Sequence, residues 1–233
     1  MEGINLQEIK EKLYARLKDN GWGPQTVNFV MTSDFESILS FLLRDAQDGK
    51  RFTPPVKHLF RAFEACPFEN VNVVIIGQDP YPQINVADGI AFSCSNQGKI
   101  EKSLEYMYKS IQETTGIECT DPNLERWSSQ GVLLLNSALT TTIGKPGTHQ
   151  LLWKPFMAYI IDYLVWNKPN LIYVFLGKKA QEFADLIPDN NYKIMVSHPA
   201  SAGYEKSAKW DCNDMWNKIN KYLEQDGKQR ISW

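Results

Sequence analysis

Four short apolar runs stand out along the chain, at residues 71–76, 132–135, 171–176 and 193–196. Each is rich in Val, Ile or Leu, and each is followed by polar or turn-forming residues. Short runs of this kind, without apolar and polar alternation, are typical of strands that are covered on both faces in a parallel sheet. We therefore predict four buried strands.

Segments with helical spacing lie between these runs. Leu104, Met107, Tyr108 and Ile111 recur as on one face of a helix, and residues 156–166 are apolar enough to pack on a sheet. This alternation predicts an α/β fold of three layers (α/β/α), with a central four-stranded, mainly parallel sheet in a single domain, residues 1–233. We expect residues 1–50 to form a helical N-terminal segment and residues 51–233 to form the core that carries the motifs.

Three polar side chains follow the predicted strands and are expected to meet at one edge of the sheet. Ligands bind outside the carboxyl ends of parallel strands, where Asp79, Asn136 and His198 should converge. Such a set could position a water molecule, read a polar ring and stabilise a leaving anion. Each residue alone also has a structural explanation, as a turn former, a strand-end cap and a rim histidine respectively. Only their joint placement favours a functional site.

Composition limits the compartment and the partners. The chain of 233 residues is 43% hydrophobic, which suffices for one core. A net charge of −2 gives no support for a nucleic-acid partner, although a few local donors are enough to bind phosphates. No signal peptide or membrane-spanning run is recognised. We expect an intracellular protein, cytoplasmic if bacterial or viral and nuclear if eukaryotic. Neither a zinc site nor a disulfide framework is suggested by the widely spaced cysteines Cys66, Cys94, Cys119 and Cys212.

Several segments carry a motif order that points to one family. Residues 77–81 read Gly-Gln-Asp-Pro-Tyr, Phe92 follows in Gly-Ile-Ala-Phe-Ser, residues 131–140 read Gly-Val-Leu-Leu-Leu-Asn-Ser-Ala-Leu-Thr, and a His-Pro pair begins at His198. In this order they resemble the water-activating motif, the uracil-stacking aromatic, the base-reading strand and the DNA-intercalating loop of family 1 uracil-DNA glycosylases. Weaker similarities are Pro54-Pro55, Ser103-Leu104, His149 with Trp153, Gly177 with Ala180-Gln181, and Ile231-Ser232-Trp233.

The resemblance implies two catalytic residues. Asp79 would orient the attacking water and stabilise the positive charge that develops on the sugar, as carboxylates do in glycoside hydrolysis. His198 would donate a hydrogen bond to O2 of the departing uracil.

The resemblance also implies four residues that bind the base. Asn136 would read uracil and reject cytosine, because cytosine reverses the donor and acceptor that the amide meets. Tyr81 would exclude the methyl group of thymine, Phe92 would stack on the extruded base, and the backbone of Gln78 would help to hold the pyrimidine.

DNA contacts are implied at six further positions. They are Ser103, Lys178, Pro199, Ser201, Ala202 and Tyr204. Lys178 stands where the family has a serine, and a solvated surface lysine is an equal alternative there.

The sequence departs from the family pattern in two loops. Pro82 replaces the usual His of the water motif, and Val86 and Asp88 stand where Gln and His are common. Ala202 occupies the position of the Leu that wedges into the base stack, and Tyr204 is an alternative wedge. Without a large wedge, we expect a preference for single-stranded DNA.

The expected function is excision of uracil from single- or double-stranded DNA by a monomeric enzyme that needs no cofactor. A glycosylase inhibitor protein or a replication factor is a candidate partner. One alternative is a non-catalytic DNA-binding or replication-accessory protein that retains the glycosylase fold. Another is a metal-dependent hydrolase that uses Asp79, His149 and His198, although these residues lack the spacing of known paired ligands.

Overall fold

The central sheet is built from four strands whose side chains lie largely in the interior. In a computed structural model that describes residues 5–22, 28–94, 99–204 and 209–233, they are β2 Val73–Gly77, β3 Val132–Asn136, β5 Ile172–Leu176 and β6 Tyr192–Val196. All four are parallel, in the order β3-β2-β5-β6. The predicted strands are therefore confirmed.

The first strand begins later than its apolar run suggests. Residues 68–70 form a 3₁₀ turn, and Val71 directly follows it. The amides of Asn72 and Val73 both donate to the carbonyl of Gly131, so regular pairing with β3 begins only at Val73. At the other end Gly77 continues the ladder opposite Asn136.

Helices cover both faces of the sheet, as the sequence predicts. In chain order they are α1 Leu6–Asp19, α2 Ser33–Gln47, α3 Arg61–Ala65, α4 Lys102–Thr115, α5 Glu125–Ser128, α6 Gln150–Asn167, α7 Lys178–Gln181 and α8 Met215–Gln225. The 3₁₀ turns are Val56–His58, Phe68–Asn70, Ala184–Leu186 and Pro199–Tyr204. The single-domain α/β class is confirmed, while the division at residue 50 stays a prediction.

Each helical layer has its own aromatic cluster. Helices α1, α2 and α6 pack around Phe35, Phe60 and Phe156, whose rings lie within 6.1 Å of one another. Helices α4 and α8 pack together near Trp127 and Trp216, whose ring centroids are 5.7 Å apart. Aromatic pairs of this kind add to the hydrophobic stabilisation of the core. The sheet is thereby fixed from both sides, which holds its strand ends in register.

A small second sheet completes the framework of the site. Strand β1 (Phe52–Thr53) pairs antiparallel with β4 (Thr141–Thr142). Two backbone hydrogen bonds hold the turn after β4. The amide of Ile143 donates to the carbonyl of Arg51, and the amide of Gly144 donates to the carbonyl of Pro82. This turn therefore lies against the loop that follows β2.

The four cysteines are all free and buried. Within the described ranges, no helix combines the length and the hydropathy that crossing a bilayer requires.

Candidate active site

A cavity of about 340 Å³ opens at the carboxyl ends of the strands. The strand register explains the position of the cavity. Gly77 pairs with Asn136 and Leu176 pairs with Val196, so all four strands end at the same edge of the sheet. The lining includes the sequence-predicted residues Gln78, Asp79, Tyr81, Phe92, Ser103, Asn136 and His198. The predicted convergence at this edge is observed.

Asn136 and Phe92 meet over Gly77. A Cβ atom built on Gly77 would lie 2.6 Å from Oδ1 of Asn136 and 2.7 Å from Cζ of Phe92, closer than real side chains come. Only glycine allows both groups to approach the strand end. Both side chains are buried, and the Asn136 amide makes no hydrogen bond to the described residues. A buried amide without a partner is available to a ligand.

Asp79 is held by the turn that follows β4. Its Oδ2 accepts a hydrogen bond from the backbone amide of Gly147. Burial raises the pKa of the Asp79 carboxyl, whereas the bonds from Gly147, the Gln78 side chain and the Thr141 hydroxyl lower it, and burial is the larger effect. The Gly147 amide thereby fixes the carboxylate in place.

His198 lies in the cavity as a neutral ring. Burial lowers the pKa of His198 to about 4. Its Nδ1 accepts a hydrogen bond of 3.2 Å from the backbone amide of Ala200, so the neutral ring carries its proton on Nε2. Gly177 makes this placement possible, because a Cβ there would lie 2.8 Å from Cβ of His198. The site therefore presents a neutral N–H donor.

Tyr81 is anchored to the backbone of the aromatic residue opposite. Its hydroxyl donates to the carbonyl oxygen of Phe92 over 3.0 Å. Burial raises the pKa of Tyr81 well above its ordinary value, so the hydroxyl stays protonated and keeps donating. The ring of Phe92 also lies 5.9 Å from that of His198. These contacts restrict the width of the cavity beside Phe92.

Comparison with known proteins gives the family. Residues 63–224 match the model of the uracil DNA glycosylase superfamily. A uracil-DNA glycosylase of Acinetobacter baumannii is 30% identical over 230 residues, which are 97% of each chain. The chain belongs to this superfamily.

Solved structures of the superfamily share the fold. The crystal structure of mimivirus uracil-DNA glycosylase superposes with a TM-score of 0.81 at 28% identity, covering 93% of this chain and 88% of that one. A mimivirus UNG variant in complex with UGI gives a TM-score of 0.82 at 27% identity, covering 93% and 90% of the two chains.

The predicted DNA-contact residues occupy different surroundings within this superfamily fold. Ser103 is buried and lines the cavity, whereas Lys178 is exposed at the start of α7 and is not part of the lining. Pro199 is buried, and Ser201 is half-buried with an Oγ that has no hydrogen-bond partner in the described part. All four stay predictions.

The two candidate wedge residues lie on the turn 199–204, which packs on α4. Ala202 is 0% exposed, so its methyl group does not reach solvent from this conformation. The side chain of Tyr204 lies outside the described residues. Which residue acts as the wedge therefore stays a prediction.

The residues of the metal-hydrolase alternative are not brought together. His149 lies in a second cavity with Asp45 and Lys50, and its ring nitrogens meet the hydroxyls of Thr140 and Thr142 at 2.8 and 3.2 Å. In the described ranges no group of at least three His, Cys, Asp or Glu side chains is arranged to hold a metal ion.

The sequence did not reveal the donors to Asp79. The Gly147 amide comes from a turn that reads Gly-Lys-Pro-Gly at residues 144–147. This composition signals a tight turn but not its partner. Pro146 of the same turn also lines the cavity. A backbone donor has no residue-type signature, so only the folded chain shows it.

Proposed function

We propose that the chain is a uracil-DNA glycosylase of family 1, which hydrolyses the bond between uracil and deoxyribose and leaves an abasic site. The predicted activity is confirmed by a curated relative of that name that aligns with 97% of this chain. The assignment to family 1 is supported by the order of the motif residues. The non-catalytic alternative is not favoured, because the superfamily's carboxylate and histidine are both present in one cavity.

One observation carries the assignment of roles. A carboxylate, a neutral N–H donor and a buried amide that has no hydrogen-bond partner among the described residues line a single cavity of about 340 Å³. The reaction requires these three groups. Positive charge develops on the sugar, where the carboxylate stabilises it, and negative charge develops on the base, where the N–H donor does so. The amide distinguishes uracil from other pyrimidines.

Asp79 is assigned to the sugar and the attacking water. The backbone amide of Gly147 restrains it by a hydrogen bond, so little reorganisation is needed when charge develops. A fixed carboxylate stabilises an oxocarbenium-like sugar and accepts a hydrogen bond from the water that attacks it.

His198 is assigned to O2 of the leaving uracil. Its Nε2–H is a neutral donor, and one preorganised donor to a developing oxyanion is worth about 3 kcal/mol. Because the pKa of His198 is about 4, the ring stays neutral throughout the physiological range. The donor therefore strengthens its bond as the base becomes anionic, without first carrying a positive charge of its own.

Base selection is assigned to Asn136, Tyr81 and Phe92. The Asn136 amide can accept from N3–H of uracil and donate to O4, and cytosine offers the reverse pattern. Tyr81 is tied to the Phe92 carbonyl and cannot swing away from a methyl group on C5. Phe92 is buried beside them and would stack on the flipped ring.

DNA that contains uracil is the partner of this activity. A mimivirus relative is known in complex with UGI, so a protein inhibitor of this kind is a candidate partner here as well. The mechanism uses only side chains and backbone groups of one chain, and a monomer is sufficient for it.

The test is a release assay on oligonucleotides that carry a single uracil, cytosine or thymine, each as single strand and as duplex. We expect release of uracil alone, at rates that chelator does not change. DNA binding without release would favour the non-catalytic alternative. Loss of release in chelator would favour the metal-dependent one.

A further inference from the structure

A buried ion pair lies beside the loop that carries Phe92. Nη1 of Arg61 is 2.8 Å from Oδ2 of Asp88, whose side chain is only 1% exposed. Nη2 of Arg61 also pairs with Glu125 at 2.6 Å. Buried charges are costly unless they are paired and bonded, so the pair has a defined geometry. None of the roles assigned above uses it.

The Asp88 carboxylate holds the loop on both sides of Phe92. Its Oδ1 accepts from the amide of Ile90 over 3.1 Å, and its Oδ2 accepts from the hydroxyl of Ser93 over 2.7 Å. The Ser93 hydroxyl in turn accepts from the amide of Leu124 over 3.3 Å. A single carboxylate thereby connects Ile90 and Ser93, which lie on either side of Phe92 in the chain. Through Ser93 it also connects them to Leu124, the residue before α5.

Phe92 needs such support because its backbone is strained. Its φ angle is +64°, in the left-handed region that bulky residues rarely adopt. A conformation of this kind persists only when its surroundings impose it. The Tyr81 bond fixes the carbonyl of Phe92, but it does not fix the amide side of the residue. The bonds of Asp88 to Ile90 and Ser93 add restraint on both sides of Phe92, beside the backbone bonds from Ala91 to Leu134 and from Ser93 to Ile90.

Arg61 fixes Asp88 from the opposite side. Besides the ion pair, Nη1 of Arg61 donates to the backbone carbonyl of Asp88 over 3.3 Å. The backbone of the same loop also meets the 3₁₀ turn before α3, because a Cβ on Gly89 would lie 2.0 Å from the carbonyl oxygen of His58. The loop is therefore seated closely on the segment that carries Arg61.

We propose that Arg61 and Asp88 are a positioning pair that holds Phe92 in the orientation that stacks on the flipped uracil. Neither residue lines the cavity, and both act through residues 90–93. The inference rests on the proposed function of Phe92 as the stacking residue. It also gives a role to Asp88, which stands where the resembled family commonly has a histidine.

A double-mutant cycle between positions 88 and 92 tests the pair. The variants are Asp88→Asn, Phe92→Ala and the combination, with kcat, KM and inhibition by free uracil measured on a single-stranded substrate. We expect Asp88→Asn to lower kcat by about 10- to 100-fold, the scale for displacing a positioned group, and to weaken inhibition by uracil. In the Phe92→Ala background the same change should alter kcat by less than about twofold, because the ring that it positions is gone.

Two further variants separate positioning from folding. Arg61→Lys keeps the charge but loses the planar fork, so it should show a smaller kcat loss that also disappears in the Phe92→Ala background. This variant carries the test if Asp88→Asn does not fold. Glu36→Gln breaks the ion pair of Glu36 with the buried Lys10, which links α2 to α1 and involves neither α3 nor the loop. It is the matched control and should lower thermal stability while kcat stays unchanged.

The outcomes distinguish a failure of the stacking role of Phe92 from a failure of the positioning pair. Near-normal kcat in Phe92→Ala would contradict the stacking role and, with it, this inference. A large loss in Phe92→Ala together with equal effects of Asp88→Asn in both backgrounds would overturn the positioning pair alone. An Asp88→Asn enzyme that is folded and fully active would also overturn it.

Discussion

The carboxylate of Asp79 accepts a hydrogen bond from the backbone amide of Gly147, which lies 68 positions further along the chain. The turn after β4 thus restrains the proposed catalytic group that follows β2. Because the donor belongs to the backbone, it cannot be removed by truncating a side chain. It can be displaced by changing the backbone conformation that aims it.

We predict that Gly147→Ala lowers kcat by about tenfold, the scale for disturbing one hydrogen bond to a charged group. Gly147 has a φ of +80°, which alanine adopts only under strain. Since this bond lowers the pKa of Asp79, weakening it should also move the acid limb of the pH–rate profile to higher pH.

Gly116→Ala is the matched control for this change. Gly116 has a φ of +75° at the end of α4, and a Cβ on either glycine would meet no described atom within 4 Å. Both variants should lose about 1 kcal/mol of unfolding free energy. Equal kcat and equal pH profiles in the two variants would refute the role given to the Gly147 amide.

The ring of His198 should remain neutral well below pH 6. Burial lowers its pKa to about 4, from an ordinary value of 6.5. The unfolded chain therefore binds a proton at this site between about pH 6.5 and 4 that the folded chain does not, and this histidine makes stability fall as pH falls through that window.

Nitrogen NMR of the three histidines checks this expectation. The His198 ring should show its proton on Nε2, and its signals should not titrate near pH 6.5. His198→Ala identifies those signals by their loss and should lower kcat by about 100- to 1000-fold. A ring that titrates near pH 6.5 would contradict the neutral donor.

Base selection can be altered separately from water activation. Asn136→Asp should gain some cytosine excision, because a protonated carboxyl can donate to N3 while its carbonyl accepts from N4–H. Tyr81→Ala should admit thymine. Tyr81→Phe loses the bond to the Phe92 carbonyl but keeps the ring that excludes the methyl group. It should therefore admit thymine less than Tyr81→Ala does. Product analysis that finds only uracil from Asn136→Asp and Tyr81→Ala would contradict the pocket geometry.

Leucine substitutions at Ala202 and Gly203 test which position can supply a side chain that wedges into the base stack. Ala202 is fully buried, so Ala202→Leu should destabilise the fold by about 1–3 kcal/mol through overpacking. Gly203 is exposed, and among the described residues a Cβ there would come within 4 Å of the Tyr106 hydroxyl alone, at 3.6 Å. Gly203→Leu should therefore raise duplex kcat/KM with little change on single strands, which the wild type should prefer. Wild-type excision at equal rates from both substrates would contradict the missing wedge.

The four strands and the edge at which they end could be predicted from sequence, because buried parallel strands leave apolar runs that end in polar residues. The convergence of Asp79, Asn136 and His198 could be predicted as well, because each of them lies at or just after the end of one of these strands. The Asp88–Arg61 pair could not be predicted, since its members lie 27 positions apart and no local pattern links them. The burial of Ala202 depends on how the turn 199–204 packs on α4, which no local pattern encodes.

The most direct measurement is single-turnover excision of uracil by Asp79→Asn beside the wild type, with DNA affinity measured on the same substrate. We expect a rate lower by several orders of magnitude and a nearly unchanged dissociation constant, because the carboxylate acts on the transition state and not on the bound ground state. A folded Asp79→Asn enzyme that excises uracil at close to the wild-type rate would contradict the account.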